Sequence, residues 1–206
     1  MQGPRDKWAL HLLFIFKEKI MTREELNDCL ERSPIIASFH DAEWEKALKA
    51  PTELLFDLKA SLTNVKKRVL AAQSMKKHYF LHIDLADGIG KDKTGIEYLA
   101  SLGVEGIIST RGQMIRYAKE VGLLTVQRLF ALDTQGLDSI NELLGVSAPD
   151  LIEIMPGVIG KVIERFSGGA IPVIAGGLIE TKAEVTAALA SGATAVSTGV
   201  PELWYL

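Results

Sequence analysis

The sequence predicts one α/β domain folded as a compact single (β/α)8 TIM-type barrel, and three observations predict it. Short runs rich in Ile, Val, Leu and Phe recur along the chain, as parallel strands covered on both faces require. Segments of helical character alternate with them from Thr22 to the C-terminus. The stretch Ile171-Pro172-Val173-Ile174-Ala175-Gly176-Gly177, a helix around Lys182–Ala190, and Gly192-Ala193-Thr194-Ala195-Val196-Ser197-Thr198-Gly199 read as the last two βα units. Small residues after those strands leave backbone N–H groups free for a phosphate, as barrels commonly do there. An open, doubly wound sheet is the runner-up architecture.

Taken in order, the chain begins with residues 1–20, expected as an N-terminal extension outside a barrel spanning residues 21–206. Its apolar core, Trp8 to Phe16, falls short of the ~20 residues of a membrane span. Lys17-Glu18-Lys19 follows it where a signal peptide would carry small residues. A short element packed on the barrel or on a neighbouring subunit is the alternative. Thr22 and Glu25 then have capping-box spacing and open a helix to Glu31. The pattern continues as strand 34–39, helix 42–50, strand 53–58, helix 62–75, strand 79–84 and helix 95–102. After these come strand 104–109, helix 113–121, strand 123–129, helix 137–144, strand 151–155 and helix 158–166. Gly103, Gly122 and Gly192 each fall between a helix and the next strand, the usual C-cap position.

Composition narrows the function. With 48% hydrophobic and 24% charged residues the chain has ample material for a core. A net charge of −3 disfavours a broad nucleic-acid face and leaves room only for a local basic patch. One cysteine, Cys29, forms no intrachain disulfide; it reads as a packing residue in a reducing cytoplasm. No membrane segment, cofactor or tight metal-ligand motif is expected.

Barrel chemistry collects at strand C-termini. Those ends carry Asp57 and Lys59, His82 and Asp84, Arg111, Arg128, Glu153, then the Gly-Gly and Ser-Thr-Gly turns. Charged groups within apolar strands are costly to bury unless paired, so Asp57, His82, Asp84, Arg128 and Glu153 suggest an interlocking polar set at the mouth. Each alone has a structural reading: Asp57 or Asp84 as a helix N-cap, Arg128 and Glu153 as an ion pair, His82 as a core histidine. Together, beside a phosphate-like turn, they favour a polar ligand site.

The segments His82-Ile83-Asp84-Leu85, Gly106-Ile107-Ile108-Ser109-Thr110-Arg111 and Gln127-Arg128-Leu129-Phe130-Ala131-Leu132-Asp133 resemble the glycerol-3-phosphate-responsive antiterminator family. So do Ile152-Glu153-Ile154-Met155-Pro156-Gly157, Ala175-Gly176-Gly177-Leu178-Ile179 and Ser197-Thr198-Gly199 through Leu203-Trp204. The likeness runs from about Pro34 to the end. It departs at Phe56-Asp57-Leu58-Lys59, where the family type is Leu-Asp-Val-His, and in residues 1–20. The resemblance implies a barrel, a cytoplasmic regulator of glycerol uptake, glycerol 3-phosphate as effector and leader mRNA as partner.

That ligand would place its phosphate on the N–H groups of Gly176, Gly177, Thr198 and Gly199. Lys59, Arg111 or Arg128 would add a charge-assisted hydrogen bond, and Asp57, Asp84 and Glu153 would accept from hydroxyls. Lys66, Lys67, Arg68, Lys76 and Lys77 bracket one helix and are the basic residues available to RNA; the plain alternative is a solvated outer face. Two further readings stay open. One is a barrel enzyme acting on a small phosphorylated polyol or sugar, with Asp57 or Glu153 as base and Lys59 as base or Schiff-base amine. The other is a regulator acting through a protein partner. A homo-oligomer is compatible with all three.

Overall fold

The computed structural model describes residues 21–131 and 134–206. Eight strands close into a barrel in chain order, each parallel to the next, with the first pairing the last. They are β1 (Ile35–Phe39), β2 (Leu54–Asp57), β3 (His78–His82), β4 (Gly106–Ser109), β5 (Leu124–Phe130), β6 (Leu151–Met155), β7 (Val173–Gly176) and β8 (Ala195–Thr198). Closure excludes the open-sheet alternative. The extension expected at residues 1–20 lies outside the described residues.

Helix α1 (Arg23–Arg32) precedes the barrel and carries the capping box, with Thr22 Oγ1 accepting from Glu25 N–H at 3.2 Å and Glu25 Oε2 accepting from Thr22 N–H at 2.8 Å. Its Leu26, Cys29 and Leu30 join Ile36, Leu54, Phe56, Phe80, Ile108, Val126, Leu151, Ile174 and Ala195 in one buried cluster. α1 therefore shares the core that fills the barrel interior. Cys29 is fully buried; burial, with Glu53 nearby, pushes its thiol up to about 12, as expected of a packing residue.

The outer helices are α2 (Trp44–Lys49), α3 (Val65–Ser74), α4 (Lys93–Ser101), α5 (Gly112–Val121), α6 (Thr134–Ser147), α7 (Gly160–Ser167) and α8 (Lys182–Ala190). A second cluster, including Ala37, Leu55, Leu81, Ile107, Leu129, Ile154, Ala175 and Val196, belongs to the layer between strands and helices. Successive strand residues face opposite sides. The two clusters therefore fix which side each position takes. Ser38, His82, Arg128, Glu153, Gly176 and Ser197 share parity with the interior cluster, while Asp57 and Thr198 share parity with the outer one.

Most boundaries differ from expectation by a few residues. The second outer helix, α3, is shorter than expected because Ser61 N–H donates to Asn64 Oδ1 at 2.8 Å in a turn that precedes it. α4 starts early because Asp92 caps it through Gly95 N–H at 2.8 Å. Gly103, Gly122 and Gly192 all take left-handed backbone where a helix gives way to a strand.

Candidate functional site

A cleft of about 300 Å³ opens at the C-terminal mouth of the barrel. Ser38, Phe39, His40, Glu43 and Leu58 form one wall, and Arg128, Glu153, Met155, Gly177, Ser197 and Gly199 form the other. Its centre of charge is a buried pair: Arg128 Nε donates to Glu153 Oε2 at 2.6 Å, and Ser197 Oγ donates to Glu153 Oε1 at 2.7 Å. β5 and β6 place Arg128 directly opposite Glu153 in register, so the pair follows from strand alignment. Among the described residues the guanidinium makes its hydrogen bond through Nε alone. Its remaining donors are available to a ligand in the cleft that Arg128 lines.

Gly176 makes this arrangement fit. A Cβ there would meet Glu153 Oε1 at 2.4 Å, so any side chain would displace the carboxylate from between Arg128 and Ser197. Gly177 has φ +74°, and Gly157 N–H donates to the carbonyls of Gly176 at 2.6 Å and Gly177 at 3.1 Å. Among the described residues, no backbone carbonyl accepts from the N–H of Gly177 or of Gly199. Two such donors and an arginine on one wall suit an anion of phosphate size.

His82 has interior parity and is 3% exposed, with no hydrogen-bond partner for Nδ1. Burial first, then the positive charge of Arg128, drives its pKa down to about 4 against the pull of Asp84 and Glu153. It is therefore neutral at pH 7.

The other anticipated residues are placed differently. Asp57 faces the helix layer, where Arg68 Nη1 donates to it at 2.7 Å, Tyr79 Oη donates to it and Lys59 N–H caps it at 2.9 Å. It is outside the cleft because it sits one residue out of phase with the inward positions. Asp84 accepts from Ser109 Oγ, Thr110 N–H (2.7 Å), Thr110 Oγ1 and Arg111 Nε (2.7 Å). Burial opposes its charge, but these donors outweigh it and hold the carboxyl below its ordinary range. Asp84 and Arg111 thus pin the β3 and β4 loops together and do not line the cleft. Lys59 is half exposed, 3.4 Å from Asp87, and also outside the cleft lining.

Thr198 points outward: its Oγ1 donates to Ile179 carbonyl at 2.8 Å and accepts from Val200 N–H at 3.1 Å. Its own carbonyl accepts from Trp204 Nε1 at 2.8 Å, which anchors the 3-10 turn Pro201–Tyr205. Thr198 shapes the final loop while its neighbours Ser197 and Gly199 meet the cleft. Sequence reasoning missed Ser38, Glu43, Met155 and Ser197. The two serines lie two residues beyond Ile36 and Ala195, so strand parity would have found them once one inward residue was known.

Of the basic residues proposed for RNA, Lys66, Lys67 and Lys76 are exposed. Arg68 and Lys77 are not available: both are buried, Arg68 on Asp57 and Asp41, Lys77 on the carbonyls of Ala50 and Thr52, each at 2.5 Å. Among the described residues no group of three or more His, Cys, Asp and Glu side chains converges as metal ligands. No described helix is long and apolar enough to cross a membrane.

Comparison with known proteins gives the family and repeats the fold. Residues 35–204 match the family model described as glycerol-3-phosphate responsive antiterminator. A crystal structure of a glycerol uptake operon antiterminator regulatory protein from Listeria monocytogenes is 38% identical, with a TM-score of 0.78 over 82% of this chain and 94% of that one. A glycerol uptake operon antiterminator-related protein from Thermotoga maritima is 28% identical, with a TM-score of 0.75 over 84% and 98%. The uncharacterised protein YgcP of Escherichia coli is 30% identical over 183 residues, 86% of this chain and 94% of its own length.

Proposed function

The chain belongs to the glycerol-3-phosphate responsive antiterminator family, and from that premise we propose that it senses glycerol 3-phosphate in the barrel mouth and binds leader mRNA to control glycerol uptake genes. The carrying observation is the conjunction in one cleft of Arg128, with donors to spare, and the uncommitted N–H groups of Gly177 and Gly199. The phosphate sits on these three. The glycerol hydroxyls lie toward Glu153, Ser197 and Glu43, where both acceptors and a donor are present. The protein acts in the cytoplasm, where the transcript is.

RNA is met by the exposed face of α3, where Lys66 and Lys67 stand free of ion pairs among the described residues, with Lys76 just beyond its end. Binding of this kind is dominated by phosphate contacts and weakens steeply with salt.

The enzyme reading is less favoured on a specific observation. Lys59, the amine that its Schiff-base form needs, is paired with Asp87 outside the cleft, and no lysine lines the cleft among the described residues. Phosphorus NMR of glycerol 3-phosphate with the protein separates the readings. The expected result is a perturbed phosphate line with no new resonance over hours, together with RNA retention on filters that rises with ligand. An unperturbed line sinks the proposed effector; a growing product resonance means catalysis.

A further inference from the structure

A buried residue of α3 touches the back of the cleft wall while its chain neighbours face solvent. Arg68 is 5% exposed, yet Lys66 and Lys67 immediately before it are exposed. Its guanidinium donates to Asp57 at 2.7 Å and to Asp41 at 2.5 Å, with its carbon 5.8 Å from the Phe39 ring centroid and 5.4 Å from that of Trp44. Burial opposes the charge, but Asp57 and Asp41 outweigh it and raise the pKa, so the cation is permanent.

Each of these contacts abuts the cleft. Phe39 lines it directly, Asp41 lies between the lining residues His40 and Glu43, and Asp57 precedes the lining residue Leu58. The wall held in this way is slight. Asp41–Glu43 is a three-residue 3-10 turn, and the residue before it, His40, provides no side-chain cap. The side-chain contacts tying Asp41 down are Arg68 and a 3.5 Å approach of Asn64 Nδ2. Beyond the turn, α2 presents Lys46 and Lys49 to solvent, and its Trp44 ring lies against the Arg68 guanidinium of α3. Lys46 and Lys49 on α2, and Lys66 and Lys67 on α3, are exposed lysines of the two helices that this arginine touches or belongs to.

We infer that Arg68 is a positioning residue that couples occupancy of the cleft to the exposed lysines of α3 and α2. It builds on the proposed ligand and RNA functions and adds the route between them. A ligand that draws in the His40–Glu43 wall moves Asp41, and the Asp41–Arg68 pair carries the shift to α3 and α2. Coupling of this kind is reciprocal, so RNA on these lysines tightens ligand binding by the same factor.

Asp41→Ala tests it, because the Asp41 side chain is 64% exposed and its loss leaves Asp57 paired with Arg68. Hydrogen exchange of the full chain is followed with and without saturating glycerol 3-phosphate. In the unmodified protein, ligand slows exchange in residues 174–178 and 197–199 and changes it in residues 65–74. In Asp41→Ala the loop protection remains, the response of 65–74 is lost, and Asp41→Glu restores it. In parallel, the ligand-dependent gain in RNA affinity, about fivefold or more in the unmodified protein, falls to about one. A response of 65–74 that is the same in Asp41→Ala, or absent in the unmodified protein while the loops are protected, overturns the coupling alone. Loops that ignore glycerol 3-phosphate overturn the effector assignment, and the coupling with it.

Discussion

Two arginine–carboxylate pairs stand near the same rim, both buried, one joining a helix to a strand and the other joining two strands, yet they do opposite things. Arg68 and Asp57 face the helix layer, and the set closes on itself: Asp41, Tyr79 and the Lys59 N–H complete it. Arg128 and Glu153 face the barrel interior, and their set is open, with donors of Arg128 bordering the cleft. The chemistry is the same; the side of the strand differs. A closed pair fixes structure, whereas an open one is poised for a ligand. A buried pair is weak evidence for net stability, but removing one partner leaves a costly unpaired charge.

The largest effect that would break this contrast is on stability. Arg68→Met strands Asp57 in the helix layer and should cost about 3–5 kcal/mol in urea unfolding. Arg128→Met should cost less, because Glu153 keeps Ser197 and borders the cleft. Equal losses would mean that the inner pair is as structural as the outer.

Next in size is an acid limb that belongs to the inner set. The folded pKa of His82, about 4, lies below its ordinary 6.5, so the unfolded chain binds more protons between those values. Stability is therefore retained above pH 6.5 and lost as pH falls toward 4, by on the order of 3 kcal/mol at most. His78 has the opposite sign: its hydrogen bond to Glu105 raises its pKa, so its contribution is complete below 6.5 and fades as pH rises. Asp84 is depressed from 3.8 and acts only at lower pH. The limb should flatten in His82→Leu, measured by thermal unfolding across this range; an unchanged slope would assign it elsewhere.

Smaller again, Arg128→Gln should weaken glycerol 3-phosphate by roughly 10- to 100-fold in calorimetry, as loss of a charged hydrogen bond of about 1.5–3 kcal/mol requires. This sharpens the contrast if Arg111→Gln, whose side chain is half exposed and committed to Asp84, changes affinity little. The smallest stability effect belongs to the surface. Lys66→Gln with Lys67→Gln should stay within about 0.5 kcal/mol of the parent. The same change should lower the salt slope of RNA binding by about 1–2. An unchanged slope would remove α3 from the RNA face.

Much of this molecule was legible beforehand. The alternation of eight strands with helices follows from apolar runs, capping signals and glycine stops, because local backbone preference and burial pattern act over a few residues. The Thr22–Glu25 box and the turns at Gly177 and Gly199 belong to that class. Arg128 and Glu153 were also legible as a pair, since charges in apolar strands must find one another.

The sequence determined which residues sit at strand ends; only the tertiary structure decided which side of the strand each takes. Parallel strands buried on both faces are apolar throughout, so they carry no alternation from which inside and outside can be read. Asp57 and Arg128 therefore looked equivalent, as did Thr198 and Ser197. Closing the barrel fixed the register and sent Arg128 and Ser197 inward, Asp57 and Thr198 outward. The same holds for Arg68 and Lys77, which differ from the exposed lysines beside them only in the direction that the folded chain gives their side chains.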